Sequence, residues 1–169
     1  MQKLYLDCDG VILDTINKSY QMLREEGVTK EDEVRAFYSN ICWEKLIIDA
    51  GEIDDSISKI KKLSKRFDTS ILTHVYTDDE AKAKIKYFKQ NLPGIEVITV
   101  PKGTEKADAV DARGAILVDD FLPNLKVWEA SGGVPIKFSD SGKKCPYTVI
   151  TDLLDLLIIN KKIKTKVKE

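Results

Sequence analysis

Two aspartates stand two positions apart near the start of the chain. They follow the apolar run Leu4-Tyr5-Leu6 as Asp7-Cys8-Asp9, and a glycine comes next. Strand alternation alone would put both carboxylates on one side of the chain, where they can act together in nucleophilic, acid–base or metal chemistry. A plain turn is the alternative for this segment alone. A calcium loop would need a third oxygen ligand, a distant Glu and flanking helices, and the context here is strand-like.

Oxygen-bearing side chains follow two further apolar runs. Asp119 and Asp120 come directly after Ala115-Ile116-Leu117-Val118, and Thr73 closes the run Ser70-Ile71-Leu72. Taken alone, the acidic pair would be a helix N-cap with a solvated neighbour, and the threonine an ordinary strand residue. Three strand ends that all carry such groups make coincidence the weaker explanation. Carboxylates that converge on one sheet edge repel one another unless a cation neutralises them, and an oxygen-only cluster favours magnesium.

Apolar runs alternate with amphipathic segments along the chain. Five runs rich in Ile, Leu and Val predict buried strands at residues 3–7, 69–73, 95–100, 115–119 and 134–138. Helical patterns are predicted at residues 78–91, 104–110, 123–131 and 147–161, followed by a solvated basic tail to residue 169. Strands that alternate with helices argue for a parallel α/β sheet.

The first two predicted strands are far apart in the sequence. Residues 8–68 separate them, more than a crossover helix needs. Ile57, Ile60 and Leu63 have the spacing of a helix that returns to the core. We therefore predict a small helical insert at residues 14–52 and a core formed by residues 1–13 and 53–169. Because ligands of open α/β sheets bind beyond the carboxyl ends of the strands, this insert would lie over the site as a cap.

Composition excludes several classes of protein. The 169 residues are 43% hydrophobic and 33% charged, as in ordinary soluble globular domains and unlike disordered or collagen-like chains. The net charge of -1 gives no general attraction to nucleic acid or acidic membranes, so neither is expected as a partner. Three widely spaced cysteines, an N-terminus unlike a signal peptide and no membrane-length apolar stretch predict a reduced, cytoplasmic setting.

The arrangement resembles the haloacid-dehalogenase (HAD) superfamily. Its motifs are Asp-x-Asp-x-[Thr/Val], a Thr or Ser after the second strand, a lysine, and an acidic pair after the fourth strand. The resemblance is strongest to the 5'(3')-deoxyribonucleotidases. It is carried by Asp7-Cys8-Asp9-Gly10-Val11 with Asp14, by Ile71-Leu72-Thr73, and by residues 117–125 running into Trp128-Glu129 and Gly132-Gly133. This resemblance implies a Rossmann-like parallel sheet of order 3-2-1-4-5 with a small helical cap after strand 1.

The same resemblance implies a role for each matched residue. Asp7 would be the nucleophile that forms an aspartyl-phosphate. Asp9 would be the general acid that protonates the leaving oxygen and later activates water, and Thr73 would bind phosphate. Asp7 and the main-chain carbonyl of Asp9 would hold Mg²⁺ together with Asp119 and Asp120, one acid of that pair ligating directly and the other partly through water.

Two lysines can supply the motif's cation. Lys106 opens a predicted short helix, as the motif lysine does in deoxyribonucleotidase-like proteins, whereas Lys102 directly follows a strand. Lys106 is the preferred candidate. The segment from Lys106 to Asp119 is longer than the family pattern, which keeps Lys102 open.

Further residues are candidate substrate contacts. Gly10, His74, Lys102 and Trp43 join Thr73 in this set. A ring of the insert, such as Trp43, could stack on a base, although aromatics in a small insert more often form its own core. A lone histidine beside a strand end is equally compatible with a local hydrogen bond.

Two other features are interpreted without a role in catalysis. The lysines of residues 82–86 are interpreted as a solvated helix face. Cys8 lies between two carboxylates, which should raise its thiol pKa and makes it a poor nucleophile.

The expected activity is magnesium-dependent hydrolysis of a phosphomonoester, with a nucleoside monophosphate as the substrate. One alternative is a phosphatase of another small metabolite, such as a sugar phosphate, since a cap of about forty residues encloses limited volume. A non-catalytic sensor of phosphate or nucleotide is the other. The complete set of acids, threonine and lysine argues against the sensor. The oligomeric state is not indicated by the sequence.

Overall fold

A six-stranded parallel sheet forms the centre of the protein. The structure is a computed structural model that describes residues 1–139, 141 and 144–159. The strands are β1 (Lys3–Leu6), β2 (Asp68–Val75), β3 (Glu96–Pro101), β4 (Ile116–Asp119), β5 (Val134–Phe138) and β6 (Thr148–Ile150). They lie in the order β3-β2-β1-β4-β5-β6. The predicted α/β fold and the predicted order of the first five strands are therefore confirmed.

The sheet is buried on both faces, which is why its strands are continuous apolar runs. Side chains alternate between the faces along each strand. Leu4, Leu6 and Val118 belong to one core cluster, and Tyr5 and Leu117 to another. β1 and β4 are neighbours paired at Leu6 and Val118, so their carboxyl ends lie side by side.

Seven named helices surround or extend the sheet. They are α1 (Thr15–Glu25), α2 (Glu31–Asn40), α3 (Trp43–Ala50), α4 (Ser56–Leu63), α5 (Asp78–Asn91), α6 (Lys106–Ala109) and α7 (Leu122–Ala130). The first three fall within residues 14–52, where the insert is predicted. α4 buries Ile57, Ile60 and Leu63, the predicted apolar stripe.

The segment α1–α3 joins the rest of the chain through one hydrogen-bonded neck. The contacts are Asp14 N to Gly51 O (3.1 Å), Ile53 N to Ile12 O (2.8 Å), and an antiparallel bridge between Leu13 and Glu52. Both ends of the segment are thus fixed at one place, and α3 also packs on α5. We retain residues 14–52 as the cap and the remainder as the core, as a working division.

The C-terminal region differs from the prediction. Residues 147–161 were expected to form one amphipathic helix, but Thr148–Ile150 forms β6 and pairs with β5 from Ile136 to Phe138. The β-branched residues at this position extend the edge of the sheet, and a helical segment follows only at residues 155–159. The predicted basic tail beyond residue 161 lies outside the described residues. No helix in the described part of the chain has the length and apolar character needed to cross a bilayer.

Candidate active site

Three carboxylates meet at the carboxyl edge of the sheet. Asp7 follows β1 directly and is fixed by its backbone N–H, which donates to Val118 O at 2.9 Å. Asp119 is the last residue of β4, and Asp120 follows it. One oxygen from each of these three aspartates lies within 4.8 Å of the others. The predicted convergence of the two acidic motifs therefore occurs in the structure.

Lys106 lies between two of these carboxylates. Its Nζ is 2.8 Å from Asp7 Oδ1 and 2.7 Å from Asp119 Oδ2, and its side chain is buried. Burial is the largest cause that raises the pKa of Asp7; Lys106 opposes it, the charges of Asp119, Asp9 and Asp120 add to it, and the resulting pKa is about 8. Burial alone would lower the pKa of Lys106, but the Asp7 and Asp119 carboxylates outweigh it and the pKa is raised. Lys106 thus faces the predicted nucleophile as an ammonium ion.

Asp119 is held rigidly at the start of α7. Its Oδ1 accepts a hydrogen bond from Phe121 N at 2.8 Å, and its Oδ2 accepts one from Asn124 Nδ2 at 2.9 Å in addition to Lys106. Asn124 was not singled out as a site residue, and only its place in the run of residues 117–125 pointed to it. These contacts fix the carboxylate before any ligand is bound.

Asp120 is packed against the glycine turn that follows β1. Gly10 has a φ of +76°, and a Cβ there would lie 2.5 Å from Asp120 Oδ2. Gly10 was a candidate substrate contact, but the structure places it against this carboxylate, where a larger residue would displace Asp120. Burial, followed by the charge of Asp119, raises the pKa of Asp120 to about 6. Lys137 on β5, which the sequence did not single out, contacts the main-chain carbonyl of Asp120.

The donor set fits a magnesium ion. All three clustered side chains are carboxylates, which are hard oxygen ligands, and Lys106 supplies the only ammonium in direct contact with them among the described ion pairs. Burial, with the neighbouring carboxylates as a smaller cause, raises the pKa of both Asp7 and Asp120, and a divalent cation would favour their ionised forms. The part assigned to the main-chain carbonyl of Asp9 stays a prediction.

Asp9 lies at the cleft wall but is held by two donors from other elements. Lys84 Nζ donates to Asp9 Oδ2 at 2.6 Å, and Thr15 Oγ1 donates to Asp9 Oδ1 at 2.6 Å. Burial alone would raise the pKa of Asp9, but the charge of Lys84 and the hydrogen bonds from Lys84 and Thr15 outweigh it, so the pKa is lowered. Asp9 is therefore ionised in the ligand-free protein.

Lys84 overturns the prediction of a solvated lysine face on α5. Its neighbours Lys82 and Lys86 are exposed as predicted, whereas Lys84 is fully buried. Glu80, Lys84 and Phe88 are all buried and follow one another at i, i+4 spacing. That spacing was the available signal: an acid, a base and an aromatic ring share one face of the helix.

Thr73 lies in the same buried cluster. Its hydroxyl accepts from Lys84 Nζ at 3.0 Å, and the residue is fully buried. Alternation along β2 places the next residue, His74, on the wall of the cleft instead. The Thr73 hydroxyl contacts Lys84 here, and its phosphate-binding role stays a prediction.

His74 makes a local hydrogen bond. Burial lowers its pKa, so the ring is neutral, and Nε2 donates to Thr104 O at 2.9 Å because a carbonyl oxygen can only accept. The bond ties the end of β2 to the loop before α6. His74 is thus both a cleft-lining residue and a structural one.

A cleft of about 600 Å³ opens between the strand ends and α1–α3. Asp7, Asp9 and Asp120 are among its lining residues. Its wall carries aromatic residues from several elements: Tyr20, Tyr38, Trp43, Tyr76 and Phe121. Tyr20, Tyr76 and Phe121 are more than half exposed, although one face of the Tyr76 ring is stacked on Tyr38.

Trp43 is less available than predicted. It is only 6% exposed, and its ring stacks on that of Tyr38 with centroids 6.0 Å apart. Tyr38 also stacks on Tyr76 at 5.4 Å, so these rings form part of the wall itself. The Trp43 Nε1 donor has no partner among the described residues, and an acceptor on a ligand could satisfy it.

Lys102 lies farther from the carboxylates than Lys106. It is exposed, lines the cleft, and its Nζ is 5.2 Å from the centroid of the Tyr76 ring. This position suits contact with a substrate at the cleft mouth. Of the two candidate lysines, Lys106 is the one in contact with Asp7.

Cys8 is excluded as a nucleophile by its surroundings. Burial and the neighbouring Asp9 raise its pKa well above the ordinary value, as the sequence predicted. Burial has the larger effect.

No protein-family model matches this sequence, and no curated protein matches it. Solved structures are similar in fold. The HAD-hydrolase YfnB from Bacillus subtilis, described as bound to magnesium, has a TM-score of 0.66 at 16% identity over 94% of this chain and 97% of that chain. A HAD-superfamily hydrolase of subfamily IA from Geobacter sulfurreducens has a TM-score of 0.65 at 13% identity, covering 94% and 99%. The D,D-heptose 1,7-bisphosphate phosphatase from Burkholderia thailandensis has a TM-score of 0.57 at 17% identity, covering 93% and 99%.

At identities this low, the structural similarity establishes the architecture alone. The activity has to be argued from the chemistry of the site. This chain has the Rossmann-like α/β fold of the HAD-superfamily hydrolases.

Proposed function

We propose that this protein is a magnesium-dependent phosphohydrolase that transfers a phosphoryl group to Asp7. The observation that carries the proposal is the contact of Asp7 with Lys106 inside a three-carboxylate cluster that borders the cleft. A phosphate ester and a carboxylate nucleophile are both anions, so their reaction needs cationic screening at the point of attack. Lys106 supplies part of it, and Mg²⁺ held by Asp7, Asp119 and Asp120 would supply the rest.

The reaction has two balanced halves. Asp7 attacks phosphorus, a carboxyl O–P bond forms, the bond from phosphorus to the leaving oxygen breaks, and Asp9 protonates that oxygen. Water then attacks the phosphorus of the aspartyl-phosphate, Asp9 takes the water proton, and inorganic phosphate leaves with Asp7 regenerated. Asp9 thus returns to its protonated state, and one water is consumed for each ester.

Because Asp9 is ionised in the ligand-free protein, the first half of the reaction has a further requirement. Lys84 and Thr15 keep Asp9 ionised in the ligand-free cleft, which suits the base that later accepts a proton. To act as the acid, Asp9 must first take up a proton. The negative charge of a phosphate entering the cleft favours that uptake.

Activity on 4-nitrophenyl phosphate tests the proposal. The wild-type protein should hydrolyse it only with Mg²⁺, and Asp7→Asn should be folded but without turnover above background, because an amide is neither a nucleophile nor an anionic ligand. Asp111→Asn is the matched control, since Asp111 is exposed and pairs only with Arg113 among the described ion pairs. Wild-type turnover in repeated preparations of Asp7→Asn would overturn the covalent mechanism.

For the substrate, we propose a nucleoside 5'- or 3'-monophosphate. A cleft of about 600 Å³ lies within the usual range for small-molecule sites, which supports a substrate of this size. The exposed rings of Tyr20, Tyr76 and Phe121 offer stacking surfaces to a base. A sugar phosphate is the rival substrate, since one structural neighbour is a heptose bisphosphate phosphatase.

These substrates are distinguished by their kcat/KM values at saturating Mg²⁺. The comparison covers deoxynucleotides, ribonucleotides, sugar phosphates and phosphoamino acids. Deoxynucleoside monophosphates should lead, with broad base preference because stacking tolerates every base. A sugar phosphate that leads by about tenfold, which is about 1.4 kcal/mol in transition-state preference, would exclude the nucleotidase and leave the phosphatase. A non-catalytic sensor would instead bind these compounds without hydrolysing any of them.

A further inference from the structure

Lys84 is a buried cation that contacts Asp9 and makes no ion pair with Asp7 or Asp119 among the described residues. Its Nζ contacts four oxygens: Asp9 Oδ2 at 2.6 Å, Glu80 Oε1 at 2.7 Å, Thr73 Oγ1 at 3.0 Å and His74 O at 3.0 Å. The ammonium group therefore bridges α5, the end of β2 and the loop after β1. Burying an ammonium is costly unless such partners surround it, so its side chain is fixed in one position.

The partners of Lys84 are themselves held. Glu80 Oε2 accepts the backbone N–H of Tyr76 at 2.6 Å, and Glu80 N donates to Thr77 Oγ1 at 3.1 Å. Thr73 is fixed by its place in β2. Lys84 is thus held by groups of α5 and β2 as well as by Asp9.

Asp9 depends on this support more than Asp7 does. Asp7 follows β1 directly, and its backbone remains bonded to β4, whereas Asp9 lies in the glycine turn beyond the strand. The direction of the Asp9 carboxylate is set by one donor to each oxygen: Lys84 from α5 and Thr15 from α1. Without Lys84, Asp9 and Glu80 would be two neighbouring carboxylates with no cation between them.

We infer that Lys84 is a positioning residue for Asp9. It holds the Asp9 carboxylate at the cleft wall, where the proton is exchanged with the leaving oxygen and with water. The inference rests on the proposed phosphohydrolase function, because it assigns Lys84 to a step of that reaction. Lys84 acts through Asp9 and makes no contact with Asp7 or Asp119 among the described ion pairs.

Leaving-group dependence separates positioning of Asp9 from general damage to the protein. Phenyl phosphate has a poor leaving group and needs the proton from Asp9, whereas 4-nitrophenyl phosphate has a good one and needs it much less. Lys84→Met should therefore lower kcat/KM for phenyl phosphate by about tenfold or more beyond its effect on 4-nitrophenyl phosphate. Lys82→Met, on the exposed face of the same helix, should leave the ratio of the two values unchanged.

A double variant completes the test. In an Asp9→Asn background the proton donor is already lost, so adding Lys84→Met should not change the ratio further. Equal losses on both esters, or a further change of ratio in the double variant, would overturn the positioning role. If Lys84→Met does not fold, Lys84→Gln replaces it, because a neutral amide of similar length keeps hydrogen bonding without the charge. A wild-type protein that hydrolyses neither ester would overturn the proposed function itself.

Discussion

At the scale of single residues, Lys106 and Lys102 differ in what they touch. Lys106 is buried against Asp7 and Asp119, while Lys102 is exposed beside Tyr76. Removing Lys106 leaves two buried carboxylates without their ammonium partner and removes charge from the point of phosphoryl transfer. Lys106→Met should lower kcat by about a hundredfold or more, the scale seen when one electrostatic donor to a transition state is lost.

Lys102→Met is the matched comparison. It should change KM more than kcat, because Lys102 lies at the cleft mouth. The measurement is kcat and KM of both variants at saturating Mg²⁺, with thermal melting as the check on folding. A larger loss of kcat in the Lys102 variant would transfer the screening role to that residue.

Sequence reasoning succeeded at this scale where strand ends position the side chains. Asp7, Asp119 and Asp120 could be predicted to converge, because parallel strands end at one edge of a sheet. It failed for Lys84, whose burial depends on which face of α5 meets the sheet. Three lysines at alternate positions are typical of a solvated face, and only the i, i+4 spacing of Glu80, Lys84 and Phe88 pointed to the buried one.

At the scale of elements, the cleft wall is assembled from separate parts of the chain. The sequence directed attention to aromatic residues of the insert, yet Trp43 and Tyr38 stack on one another. The rings that stay exposed are Tyr20 on α1, and Tyr76 and Phe121 in the turns after β2 and β4. Which aromatic ring remains open depends on packing between elements, which no local pattern encodes.

Tyr76 gives a test of base stacking. Its ring is 53% exposed and lines the cleft, so Tyr76→Ala removes one stacking surface without opening the core. Stacking on a base is worth about 1 to 3 kcal/mol, so KM for a deoxynucleoside monophosphate should rise about fivefold or more. Phosphoserine has neither a base nor an aromatic ring and serves as the internal control. Equal changes in KM for both substrates would remove Tyr76 from base recognition.

The first five strands could be predicted from the sequence, whereas the last one could not. β1 to β5 lie in apolar runs that are long enough to be recognised as strands, whereas β6 has only three residues beside an amphipathic run. Its pairing with β5 is a tertiary contact that overrides the helical pattern there. The overall α/β architecture could be predicted from the alternation of strand-like and helical segments, because that alternation repeats along the chain.

At the scale of the whole molecule, the carboxylate cluster links stability to pH and magnesium. In the metal-free protein the pKa of Asp7 is raised to about 8 and that of Asp120 to about 6, from an ordinary value of 3.8. A raised folded-state pKa means that stability is fully present below the unfolded value and is lost as pH rises through the folded value. The metal-free protein should therefore lose stability from about pH 4 to about pH 8 through these two groups.

Magnesium should reverse this loss, because it binds the ionised carboxylates and favours the folded state. The increase in Tm on adding Mg²⁺ should be larger at about pH 8 than at about pH 5. Thermal melts with Mg²⁺ or with a chelator at both pH values measure the difference. In a variant with both Asp7→Asn and Asp120→Asn the pH dependence of the increase should disappear. An increase that is equal at both pH values in the wild-type protein would contradict a site made of these carboxylates.

The central claim is that Asp7 becomes phosphorylated during turnover, and direct detection of that phosphoryl group is its sharpest test. Asp9→Asn should allow the first half of the reaction with 4-nitrophenyl phosphate, whose leaving group scarcely needs a proton, and should slow the second half, which needs a base. Acid quenching of this variant after mixing with the ester and Mg²⁺, followed by mass spectrometry of its peptides, is the measurement. The predicted result is one added phosphoryl group on the peptide that contains Asp7, absent when Asp7→Asn is added. Continued hydrolysis by the wild-type protein with no phosphoryl group on that peptide, or with the group on another residue, would contradict the mechanism.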